Sequence, residues 1–128
     1  MRHTLPKSYI LRGYQTFSRI ISSGASIQGT YLTSYVVSRP SDHPGAMIGF
    51  TVSKKRTPLA VQRNRIKRLI KETVRKHFSA IISEAKSKKV AVEIVVSYKG
   101  EKQKLPTLKE HDLEPEWMQH QQQILEKL

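Results

Sequence analysis

Cysteine is absent from this chain, which excludes disulfides and thiolate metal sites and leaves no sign of an oxidising compartment. Long hydrophobic runs are absent too. No stretch approaches the ~20 apolar residues of a membrane span, and the opening MRHTLPKSYILRG lacks the continuous apolar region of a secretory signal. A cytoplasmic protein is expected. Acidic side chains are scarce: 10 Asp and Glu stand against 23 Lys and Arg, a net charge of +13 over 128 residues. The rest of the composition, 38% hydrophobic and 26% charged, is globular rather than disordered. The length suits one domain, 1–128, with a loose basic lead-in at about 1–8.

The charge is uneven. Residues 1–100 hold 19 basic and 4 acidic side chains, and 101–128 hold 4 and 6. Between Lys54 and Lys76 ten cations face one acid, Glu72. A polyanionic partner follows from this. An anionic membrane surface is the competing reading. It is disfavoured because the apolar face of the same segment matches a core for which the chain supplies strands.

Leu11, Tyr14, Phe17, Ile20 and Ile21 follow helical spacing from about Ile10 to Ser23, with Gly24 as a stop. Tyr31 to Ser38 reads as a strand with Leu32, Ser34 and Val36 on one face and Tyr31, Thr33, Tyr35 and Val37 on the other. The turn formers of Arg39-Pro-Ser-Asp-His-Pro-Gly45 reverse the chain into a second strand, Ala46 to Ser53, packed through Met47, Phe50 and Val52. These two strands are expected to pair antiparallel. Thr57-Pro58 is the expected start of a helix running to about Ile82, Thr57 as N-cap. Val90 to Tyr98 is nearly all apolar and reads as a central strand. After a loop from Lys99 to Leu113, Glu114-Pro-Glu-Trp opens a last helix anchored by Trp117, Ile124 and Leu128. The order α-β-β-α-β-α describes an α+β protein, a compact two-layer α/β sandwich.

Arg63-Asn64-Arg65-Ile66-Lys67-Arg68 is the most informative stretch. At about 100° per residue, Asn64, Arg68, Lys71 and Arg75 line one side of the long helix, and Ile66, Ile70, Thr73, Val74, His77 and Ile81 the other. A buried face opposed by a guanidinium-rich stripe suits phosphate or nucleic acid. Arg68 and Glu72 are spaced for an i,i+4 ion pair.

Ile48-Gly-Phe-Thr-Val-Ser-Lys-Lys55, followed by Ala60-Val-Gln-Arg-Asn-Arg-Ile-Lys-Arg68 and Lys71-Glu72, resembles the protein subunit of bacterial ribonuclease P. Leu11-Arg12, Phe17 and Gly24, and the strand Val92 to Gly100, extend the resemblance to roughly residues 10–100. It implies a left-handed βαβ crossover, an exception to the usual hand. It also implies a subunit of a ribonucleoprotein endoribonuclease that matures the 5′ end of tRNA. The RNA subunit is then the catalyst and uses Mg²⁺, the protein alone is inactive, and the free protein is a monomer. The family pattern assigns Lys54, Lys55, Arg63, Asn64, Arg65, Lys67 and Arg68 to the RNA subunit, and the helical stripe adds Lys71 and Arg75. Phe17 and Tyr35, with Arg63 and Asn64 at the edge, would line a cleft for the single-stranded 5′ leader of precursor tRNA, where aromatics beside cations suit bases and phosphates. Ile21 stands where many relatives place a second aromatic, which implies either weaker leader stacking here or stacking carried by Tyr14.

The chain carries little chemistry of its own. His3, His43, His77, His111 and His120 are scattered, with His77 expected in the core, and no carboxylate pair suggests two-metal phosphodiester cleavage. No Ser/His/Asp arrangement or Gly-rich phosphate loop appears. Glu110, Asp112, Glu114 and Glu116 read as helix-start charges, not a metal site. A ribosomal or general RNA-binding protein is the alternative reading.

Overall fold

The computed structural model describes residues 10–11, 13–52, 59–99 and 110–128. The lead-in 1–8, Lys54, Lys55 and the expected helix start Thr57-Pro58 lie outside the described residues. Helix α1 (Tyr14–Ser23) is followed by β1 (Ala25–Gln28), β2 (Leu32–Pro40) and β3 (Gly45–Val52), then by α2 (Ala60–Arg75), α3 (Phe78–Lys88), β4 (Val90–Tyr98) and α4 (Glu110–Lys127). One mixed sheet runs in the order β1-β2-β4-β3. Strand β4 pairs antiparallel with β2 and parallel with β3, and β1 pairs antiparallel with β2.

The expected β2–β3 hairpin does not form. The reversal at 41–44 turns the chain, but β4 lies between the two strands and takes a ladder from each. Its Val92, Ile94, Val95 and Val96 are all at most 1% exposed. A strand apolar on both faces gains most at the centre of a sheet, and this displaces β3 to the edge. Strand β1, short and with Ile27 as its one buried side chain, escaped the sequence pattern.

The two sheet faces carry separate cores. On one, Leu32, Val36, Ile48, Val52, Ile94, Val96 and Tyr98 pack with α2, α3 and α4. On the other, α1 rests on β2 and β4, and Ile20, Leu11 and Val95 form a smaller cluster with Phe17, Tyr35 and Val37. Gly24 closes α1 by donating its N–H to the Ile20 carbonyl at 2.8 Å. In β3 the buried residues are Ala46, Ile48 and Val52, whereas Met47 is exposed. The two-residue period of a strand prevents Met47 and Val52 from sharing a face.

The long basic helix is two helices. α2 starts after Leu59 and ends at Arg75, and α3 starts after His77. Ile66, Ile70, Thr73 and Val74 are buried as their spacing requires. Past the break, Phe78 takes the core position that a continuous helix would give to His77. His77 is half-buried instead and meets Glu114 of α4 at 3.1 Å. Glu72 pairs with Arg75 at 2.6 Å, one turn on, and not with Arg68.

Helix α4 begins at Glu110, four residues before the expected start, and holds Pro115 within it. It docks through Leu113, Trp117 and Ile124, all fully buried. Its Glu116 is more than a helix-start charge. The carboxylate accepts the N–H groups of Thr30, Tyr31 and Leu32 at 2.5–3.1 Å, so α4 caps the β1–β2 turn. Buried His120 shares a 2.7 Å hydrogen bond with Ser34 on β2.

Candidate nucleic-acid interface

Gly49 positions the key aromatic. A Cβ at Gly49 would stand 2.6 Å from two ring carbons of Phe17, so a bare backbone at the middle of β3 admits the ring. The Ile10–Leu11 segment completes the seat: Ile10 bridges Ile48 in parallel, and the Leu11 N–H reaches the Ile48 carbonyl at 2.8 Å. These contacts bring the N-terminal end of α1 to the β3 edge, beside α2.

A cleft of about 380 Å³ results, lined by Ile10, Leu11, Phe17, Phe50, Lys67, Arg68 and Lys71. One wall is apolar and carries two aromatic rings, and the other carries three cations. Lys67, Arg68 and Lys71 are exposed, and among the described residues no acidic side chain lines the cleft. Flat apolar surface beside uncompensated positive charge can stack bases while neutralising phosphates.

The sequence-assigned residues distribute as follows. Phe17, Lys67, Arg68 and Lys71 meet in the cleft. Asn64 is exposed on α2, and Arg63 and Arg65 are half-buried there; none of the three lines the cleft. Arg75 is half-buried and held by Glu72. Tyr35 is half-buried in the cluster beneath α1, and the second aromatic of the cleft is Phe50. Ile21 is exposed, and the side chain of Tyr14 lies outside the described residues. Sequence reasoning passed over Phe50, although it sits inside the Ile48 to Lys55 motif, because its hydrophobicity assigned it to packing.

A second polar group sits on the same sheet face. Glu93 on β4 meets Arg19 of α1 at 2.9 Å and Arg39 of β2 at 3.3 Å. The Arg19 guanidinium, hydrogen-bonded to Glu93 and attracted by its charge, is held further into its charged form. No local signal could find this group, since its members lie 54 and 74 positions apart from Glu93. Among the described residues no three His, Asp or Glu side chains gather to hold a metal ion, and no helix is long and apolar enough to cross a membrane.

Comparison with known proteins adds three findings. Residues 5–119 match the family model described as Ribonuclease P. The Ribonuclease P protein component of Chlorobaculum tepidum is 42% identical over 77 residues, 57% of this chain and 50% of that protein. That of Nitrosomonas eutropha is 39% identical over 75 residues, 59% of this chain and 62% of that protein. The matched stretch thus spans half to three-fifths of these relatives' length. The Staphylococcus aureus RNase P protein structure superposes with a TM-score of 0.65 at 26% identity, covering 92% of this chain and 95% of that one.

Proposed function

Since the chain belongs to the ribonuclease P protein family, we propose that it is the protein subunit of a ribonucleoprotein that removes the 5′ leader from precursor tRNA. The cleft that places Phe17 and Phe50 opposite Lys67, Arg68 and Lys71 supports this reading most directly. An unpaired leader presents bases to the rings and phosphates to the cations. Mature tRNA has no leader, so contacts made there favour precursor over product.

The remaining α2 cations, Arg63, Arg65 and Arg75, together with Asn64 and the preceding Lys54 and Lys55, serve the RNA subunit. Two RNA strands are then held on neighbouring faces of one short helix. The protein's part is binding and orientation, which lower the cost of bringing reactants together. Mg²⁺ supplies the phosphodiester chemistry on the RNA subunit. Among the described residues no comparable ligand set gathers, and no step is assigned to the protein's side chains.

The test is cleavage of 5′-labelled precursor tRNA at low Mg²⁺ by protein alone, cognate RNA alone and both together. Cleavage in the mixture alone, releasing leader and a mature 5′ end, is expected. An RNA competent at high Mg²⁺ yet unaided by the protein would leave a general RNA-binding protein.

A further inference from the structure

A second recess, of about 490 Å³, opens where the β2–β3 reversal meets the last turn of α3. Arg39, His43 and Lys86 supply its polar wall, and Pro44, Met47 and Ile82 its apolar surface. Met47 is 36% exposed, a large thioether left at the surface. Glu93 also borders the recess, but two guanidiniums already engage it. Lys86 and His43 have no ion-pair partner among the described residues. At the end of α3 two carbonyls that would repel an anion have donors, as does that of the capping Lys89. Those of Ala85 and Lys86 accept the Lys89 N–H, and that of Lys89 accepts the Ser41 N–H at 3.1 Å. The volume falls in the range of small-ligand sites, and cations beside an apolar surface match a phosphate with an attached base.

Its placement identifies the polymer. Both recesses straddle the edge of β3, one near Ala46 and one near Phe50, ~13 Å apart along a strand at ~3.3 Å per residue. The Ile10–Leu11 segment covers the edge between them. Met47 lies two residues before Gly49 and so on the face that Phe17 covers, and the Arg19–Glu93–Arg39 group flanks it there. We propose that the recess at the β2–β3 reversal is a second subsite for single-stranded RNA, seating a base against Met47 and its phosphate between Lys86 and His43, while Arg39 stays on Glu93. This rests on the RNA-binding reading given above.

A short oligoadenylate titrated into ¹⁵N-labelled full-length protein provides the test, with affinity followed against salt. Amide shifts are expected at Ala46, Met47 and Val92 as well as at Gly49 and Phe50. Lys86→Ala should flatten the slope of log K against log salt by about 0.7, one single-strand phosphate. Lys88→Ala removes the same charge from the same turn outside the recess and should flatten it less. Shifts confined to Gly49 and Phe50, with equal slopes for the two variants, would overturn the second subsite and leave the cleft standing. No shifts at either place would overturn the RNA-binding reading itself. Shifts of equal size with oligoglutamate would overturn the assignment to nucleotide.

Discussion

Phe17 lies across Gly49 so closely that the glycine's missing Cβ is what admits the ring. The pair couples the sheet to the cleft, because the ring resting on β3 is also the one facing Lys67, Arg68 and Lys71. Gly49→Ala should push Phe17 off the strand, costing about 1–3 kcal/mol as overpacking does. Precursor affinity should fall with it, while assembly with the RNA subunit is retained. Urea melts and filter binding with precursor and mature tRNA measure the two effects.

Phe17→Ala should lose the stacking of one base, ~1–3 kcal/mol of precursor affinity, with mature tRNA little affected. Arg63→Ala combined with Arg65→Ala, both outside the cleft, should weaken assembly with the RNA subunit. Its salt dependence should flatten by ~0.9 for each duplex phosphate that the variant no longer neutralises. Equal losses of assembly and precursor binding in both variants would mean that Phe17 acts in the core and not as a platform.

Glu116 closes the β1–β2 turn from α4, and Gly29 leaves room for its carboxylate. Glu116→Gln keeps the shape but exchanges a charged acceptor for a neutral one. A loss of about 1–2 kcal/mol is expected, given that hydrogen bonds to charged groups contribute ~1.5–3 kcal/mol against ~1 for neutral ones. Glu116→Ala should lose more. Denaturant midpoints decide this, and an unchanged midpoint would show that the turn is held by its backbone alone.

His120 should make the fold sensitive to acid. Burial pushes its imidazole below the usual value, Glu116 pulls it up, and Lys99 pushes it down again. The folded protein therefore prefers the neutral ring. The stability this contributes is complete above the unfolded pKa of about 6.5 and is lost as pH falls from there through the folded value. Between pH 7.5 and 5, Tm should drop more steeply for the parent than for His120→Gln. Parallel curves would remove His120 as the cause.

The α2 stripe was legible because burial on a helix repeats with the helix: Ile66, Ile70, Thr73 and Val74 are buried where 3.6-residue spacing puts them. The same rule failed at His77. It assumes an unbroken helix, and the break that seats Phe78 is stabilised by packing against other elements. Met47 was misplaced for a simpler reason, since its hydrophobicity was weighted above the strand's alternation.

Sequence alone determined what depends on short-range order and composition: the basic charge, the helical stripe, the apolar strand β4 and the motif that carries the family likeness. Tertiary structure decided what depends on residues far apart in the chain. It placed β4 between β2 and β3, seated Phe17 on Gly49, turned Glu116 towards the β1–β2 turn, and joined Arg19, Arg39 and Glu93. Local periodicity reports which face of an element is buried. Which partner covers that face is settled by the competition of all the elements for one core, and no window of sequence contains that competition.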